Sequence, residues 1–207
     1  MAYFAHAVNN KKHVVAKFIP IGVKVYVENA ASYDDFIVTS VSQFNSEVQN
    51  TKAASAADIG PKFHAHFKCS AWDSDNKKQA EVGIIVSDYA GASLQIAMRD
   101  PVMKASMLKH AEHVKKLLKE VLKRSKNFLH KDLHEGNITI QFDKKMIPER
   151  MYLIDFSDFV DIRKPGVKKA AKSKQKKVEQ RVIKLVDDFL ISGEVDDPGA
   201  TVPYRSS

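Results

Sequence analysis

Hydrophobic and polar positions follow a strand-like alternation over the first ninety residues and then switch to a helical period. Residues 14–21 and 22–28 are short runs rich in Val, Ile and aromatics on either side of Pro20-Ile21-Gly22, which predicts two antiparallel strands joined by a turn. Residues 34–41 (DDFIVTSV) predict a third strand, and residues 43–57, which carry Glu47, a helix. Residues 62–69 and 80–89 predict two further strands around the polar turn WDSDNKKQ, which contains Trp72. Together these make a five-stranded antiparallel sheet. Over residues 101–128 the apolar positions Met103, Met107, Leu108, Val114, Leu117, Leu118, Val121 and Leu122 recur at three and four. That spacing predicts one long amphipathic helix with lysines on its outer face and Pro101 in its first turn. Residues 143–149 read as the polar tip of a hairpin. Residues 178–191 predict a last helix, ended by Ser192-Gly193, before an extended tail over 194–207.

Composition adds bounds. With 207 residues and 44% hydrophobic content, the chain can bury a core but is short for two full domains. The single Cys69 excludes an internal disulfide framework and suits a reducing compartment. No run approaches the roughly 20 apolar residues of a membrane span, and the N-terminus lacks the apolar core of a secretion signal. A soluble protein of the cytoplasm or nucleus is expected. The net charge of +8 is concentrated: residues 163–184 hold ten Lys or Arg against one acid, Glu179, so the remainder is close to neutral. This basic stretch, partly of low complexity, predicts a solvated loop up to residue 177. Its functional reading is an electrostatic contact with nucleic acid, an acidic protein or a lipid surface.

The chemistry gathers in FLHKDLHEGNITI (128–140) and YLIDFSDF (152–159). Asp132 and Asn137 stand five positions apart in a polar turn between apolar runs, and Asp155 ends a strand-like run. Oxygen ligands from two segments suit a hard cation such as Mg²⁺ that keeps several waters. A carboxylate beside them can accept a hydroxyl proton. His130 and His134 have the i, i+4 spacing of a zinc pair, but Gly136 interrupts any helix there and no third ligand follows.

The pattern H-x-D-L-x-x-x-N followed by D-F resembles the catalytic and metal-binding loops of the protein-kinase-like superfamily. D-L-H-x-G-N resembles its small atypical members, the RIO-type, choline, aminoglycoside and lipopolysaccharide kinases. The resemblance implies an α+β, two-lobed fold: residues 1–90 as a five-stranded N-lobe with one helix, 91–193 as a reduced, mostly helical C-lobe, and 194–207 as a tail. It makes His130 a buttress of the loop, Asp132 the group that orients or deprotonates the acceptor, and Asn137 and Asp155 the Mg²⁺ ligands. Ser157 replaces the family's glycine. Glu47 would pair with a phosphate-gripping lysine; Thr39 or Ser40 stands where that lysine belongs, so Lys24 is favoured over Lys17 as its substitute. Gly22 is what remains of the glycine-rich loop, and residues 86–89, including Ser87 and Tyr89, would line the adenine pocket at a hinge over 89–94. The implied function is ATP- and Mg²⁺-dependent transfer to a hydroxyl, with Ser or Thr of a protein as acceptor. The stripped form suits a viral enzyme or a subunit within a complex. The alternatives are a pseudokinase working through partners, and a basic nucleic-acid-binding protein.

Overall fold

The computed structural model describes residues 4–9, 12–22, 24–26, 36–73, 78–162 and 169–195, and side chains within 13–22, 39–72, 79–162 and 173–195. The described residues form five α-helices and several small antiparallel sheets. The N-terminal elements are β1 (Phe4–Asn9), β2 (Lys12–Ile21), β3 (Lys24–Tyr26), β4 (Phe36–Val38), α1 (Val41–Ala56), β5 (Phe63–Asp73) and β6 (Lys78–Asp88). The main sheet has the order β1-β2-β6-β5.

The expected five-stranded sheet is therefore corrected. Three of the predicted strands (β2, β5 and β6) join it together with the unpredicted β1, whereas β3 and β4 pair only with each other. Gly22 supplies the physical reason. Its φ of +70° turns the chain out of the sheet, and its N–H donates to Thr39 O at 2.8 Å, so β2 and β3 cannot close as a hairpin. Instead β2 takes β1 as its neighbour, in register from Phe4 opposite Lys17 to Asn9 opposite Lys12. Trp72 belongs to β5, not to a turn.

Thr39 and Ser40 have structural employment. Ile21 and Thr39 form the one bridge between β2 and the segment after β4. Ser40 caps α1 reciprocally: Gln43 N–H donates to Ser40 Oγ at 3.1 Å and Ser40 N–H to Gln43 Oε1 at 2.7 Å, a capping box. Behind the cap, Phe44, Glu47, Val48, Thr51 and Ala54 form the buried stripe of α1. Phe44 and Val48 pack with Ile19, Ile21 and Ile85 in a small apolar cluster.

After β6 come β7 (Ala92–Ser93), α2 (Leu94–Ala97), α3 (Pro101–Lys109), α4 (Ala111–Arg124), β8 (Phe128–His130), β9 (Ile138–Phe142), β10 (Pro148–Leu153), β11 (Phe159–Asp161) and α5 (Lys169–Ser192). The single helix expected over 101–128 is two, broken at His110, whose ψ of 34° leaves the helical region. The hairpin tipped by 143–149 is present as β9 and β10, with β7 on the other side of β9. The basic run is not a loop from residue 169 onward, because α5 starts at Lys169 and takes in most of it. Val182, Val186 and Phe189 of α5 join Val114, Leu118 and Val121 of α4 in the larger apolar cluster, which also holds Ala54 and Ile59. Among the described residues no helix is long and apolar enough to cross a membrane.

Gly91 marks the tightest chain approach. Its φ is +92° and a Cβ there would sit 2.1 Å from Ile140 O. Gly91→Ala should destabilise by about 3 kcal/mol, strain and overlap combined, seen as a lowered urea midpoint. Gly22→Ala, with open space around it, should cost only about 1 kcal/mol. Equal losses would show that β7 does not press on β9.

Candidate active site

Strand alternation decides which lysine faces α1. Along β2, residues 17, 19 and 21 share one face, and Ile19 and Ile21 are buried against Phe44 and Val48. Lys17 therefore points at the same stripe of α1, one helical step along, where Glu47 sits between those two apolar anchors. Lys17 Nζ donates to Glu47 Oε1 at 2.6 Å and to Asp155 Oδ1 at 2.9 Å. The side chains are 24%, 7% and 39% exposed for Lys17, Glu47 and Asp155. Three segments far apart in sequence thus meet at one ammonium group.

Asp155 reaches this point because the residue before it is held on both sides. Ile154 N–H donates to Asn137 O at 3.0 Å, and Ile154 O accepts from His130 Nε2 at 2.9 Å. Leu153 N–H donates to Ile59 O at 2.8 Å. With its neighbours fixed, Asp155 adopts φ +59°, a left-handed conformation that Asp tolerates better than most residues. Phe156 follows, its ring packed against His130 and Phe159 at centroid distances of 6.0 and 5.0 Å, and its carbonyl accepts from Asn50 Nδ2 of α1 at 3.0 Å.

Asp132 and Asn137 face each other across the turn. Asn137 Nδ2 donates to Asp132 O at 2.9 Å and to Asp132 Oδ2 at 3.3 Å. The amide nitrogen is thereby committed, leaving Asn137 Oδ1 as the atom a cation would take. The Asp132 carboxylate is 67% exposed, with His134 Nε2 at 3.6 Å. His134 Nδ1 accepts from Gly136 N–H at 3.0 Å, so this histidine shapes the turn. His130 is buried and its main-chain N–H donates to Gln175 Oε1 at 3.2 Å, which ties α5 to the loop. Sequence patterns offered no hint of Gln175.

The charges follow from these contacts. Burial works against the Lys17 ammonium, but the Glu47 and Asp155 carboxylates outweigh it and hold its pKa above the usual lysine range. Burial also opposes ionisation of Asp155, yet Lys17 and hydrogen bonds from Ser157 pull its pKa below the usual range. Glu47 is the driest of the three; burial raises its pKa in spite of Lys17. Burial lowers that of His130, so its ring is neutral and donates from Nε2.

The sequence-derived site residues separate into two groups. His130, Asp132, Asn137, Glu47 and Asp155 come together, joined by Lys17 where Lys24 was favoured. The backbone of Lys24 lies in β3, outside the main sheet, and its side chain falls outside the described residues. Gly22 is an exposed turn beside Thr39. Ser87 lies on β6, opposite Val15 and Phe63. Tyr89 N–H donates to His13 O at 2.9 Å and its carbonyl accepts from Gln141 Nε2 at 2.7 Å. Both main-chain groups of Tyr89 are thus already committed. A signal for Lys17 was present in Val14-Val15-Ala16-Lys17, an apolar strand ending in lysine ahead of a helix with an inward glutamate.

Among the described residues no cluster of three or more His, Cys, Asp or Glu is disposed to hold a metal. The oxygen ligands on offer are Asn137 Oδ1 and the Asp155 carboxylate. They suit Mg²⁺, which takes one or two protein oxygens and completes its shell with water and phosphate. No protein-family model and no curated protein matches the chain.

The neutral, buried His130 generates a pH dependence. Its depressed pKa means that the unfolded chain takes up a proton first, below about pH 6.5. Its contribution to stability is complete above that value and is lost as pH falls through the folded-state pKa. Comparing wild type with His130→Gln cancels the other titrating groups. The Tm advantage of wild type should narrow as pH falls from about 7.5 to about 5. A constant advantage would mean that burial leaves the His130 pKa unshifted, and an advantage that grows toward low pH would mean that the fold holds the histidine charged.

Proposed function

We propose that the chain is an ATP- and Mg²⁺-dependent phosphotransferase of two-lobed, protein-kinase-like build, acting on a hydroxyl, with Ser or Thr of a protein as acceptor. The observation that carries this reading is Lys17 held between Glu47 and Asp155. A lysine fixed by a helix glutamate at the edge of an oxygen-ligand site is an arrangement for gripping nucleotide phosphates. It answers the chief objection from sequence, the missing lysine in FIVTSV.

In this reading Glu47 orients Lys17, and Lys17 turns from Asp155 toward phosphate oxygens when nucleotide enters. Asn137 Oδ1 and Asp155 would hold Mg²⁺, which supplies charge neutralisation on the phosphates when bound. Asp132, exposed and steadied by Asn137 Nδ2, orients the acceptor hydroxyl and accepts its proton. His130 holds Ile154, and through it Asp155, as a positioning residue. Catalysis of this type rests on placement and electrostatics more than on covalent chemistry. The pseudokinase reading is favoured by one observation: Lys17 Nζ donates to Asp155 Oδ1, an oxygen that Mg²⁺ would need.

Incubation with labelled ATP, Mg²⁺ and casein separates these readings. Wild type should transfer label; Asp132→Asn should lose a factor of roughly 10²–10⁴ in turnover while still gaining thermal stability from ATP and Mg²⁺. Asp155→Ala should lose both. Stabilisation by ATP without transfer would support the pseudokinase, and neither response would overturn the nucleotide site.

A further inference from the structure

We propose that the seam between α4 and α5 binds the sugar-phosphate backbone of a nucleic acid. The two helices pack antiparallel. Lys115, near the start of α4, lies 3.8 Å from Asp187, near the end of α5, and Gln175, toward the start of α5, meets His130 just beyond the end of α4. Between these fixed points the exposed residues include Lys119 and Lys123 on α4 and Lys176, Lys177 and Lys184 on α5, with Arg181 further round the outer face of α5.

None of these six side chains has an ion-pair partner among the described residues, and of the nearby acids only Asp188, four residues after Lys184, is not engaged elsewhere. Glu112 and Asp187 serve Lys115 at 3.3 and 3.8 Å, and Glu120 serves Lys116 at 4.0 Å. Glu179 accepts from Gln175 Nε2 at 2.7 Å. What remains on the seam is unbalanced positive charge. Lys119 and Lys123, Lys177 and Arg181, and Arg181 and Lys184 are like-charge neighbours at helical spacing, which weakens a helix. A bound polyanion offsets that cost.

The chemistry of the face selects the kind of polyanion. The exposed residues of α5 between 173 and 184 are Ser, Lys, Gln and Arg only. A helix that docks on a membrane surface needs an apolar flank to insert, and a protein interface needs an apolar or aromatic centre. Neither is present on this stretch. A phosphate backbone is gripped by charge alone, without regard to base sequence. Lys176 to Lys184 spans about 12 Å of helix axis, enough to follow several consecutive phosphates. The surface is separate from the Lys17–Asp155 site, so the inference stands independently of phosphotransfer.

The test is fluorescence anisotropy of the full chain with a labelled single-stranded DNA of about 20 nucleotides. With about four phosphates engaged, affinity should fall roughly fifty-fold as salt rises from about 50 to 200 mM. The combined variant Lys119→Gln, Lys123→Gln, Arg181→Gln, Lys184→Gln should weaken binding at least tenfold and flatten the salt dependence, with Tm no lower than that of wild type. Lys144→Gln with Lys145→Gln, in the exposed β9–β10 turn, should bind as wild type does. Absence of binding at low salt, equal binding by the seam variant, an equal loss in the turn variant, or tighter binding to phosphatidylserine vesicles than to DNA would each overturn the assignment.

Discussion

The ammonium of Lys17 is the point on which the site depends. It is the one contact that joins β2, α1 and the segment after β10, and each of its two carboxylate partners is there for a separate reason. Glu47 is carried inward by the same stripe of α1 that buries Phe44 and Val48. Asp155 is delivered by a backbone held from both sides. A charged trio of this sort is costly to assemble and costlier to break, since removing one member strands the others in a partly dry setting. Lys17 is raised and Asp155 lowered in pKa by their attraction, whereas Glu47, the driest, is governed by burial.

The second support lies in the loop containing His130, Asp132 and Asn137. Its main role in the fold is to grip Ile154, by the Asn137 carbonyl on one side and the His130 ring on the other. The exposed Asp132 and the strained Asp155 are thereby set in relation through backbone hydrogen bonds, not through flexible side chains. The loop is in turn steadied from behind: Phe156 and Phe159 pack beneath His130, and Gln175 of α5 accepts the His130 main-chain N–H. A stretch that reads in sequence as a basic solvated loop thus supplies, through Gln175, a support for the centre of the site.

Local sequence made the site more legible than the sheet. Asp132, Asn137 and Asp155 could be read because their spacing, between apolar runs with Gly136 as a break, admits few arrangements. Glu47 is reached only through the resemblance, as the glutamate of the helix that follows the strands; that it shares the buried stripe of Phe44 and Val48 is seen in the structure. Lys17 was passed over since nothing local shows which strand is central: β2 gains its place by pairing with β1 and β6, at long range. FIVTSV carries a strong strand pattern yet forms a short side hairpin, because its last residues serve the cap of α1. The composition of the basic run suggests a loop, yet Lys and Ala are good helix formers and the apolar stripe of α5 extends the helix back through them. Tyr89 illustrates a limit of position: its main chain is engaged by the long-range partners His13 and Gln141, and nothing local to residues 86–94 shows either of them.

Titration of ATP and Mg²⁺ by calorimetry tests the central role of Lys17 most directly, using Lys17→Met combined with Glu47→Gln, so that the driest carboxylate of the trio is not left unpaired, beside Lys24→Met. With Lys17 as the phosphate-gripping residue, the first variant stays folded and loses nucleotide affinity at least tenfold, while Lys24→Met binds as wild type does. Retained affinity in the Lys17 variant together with loss in Lys24→Met would contradict the account.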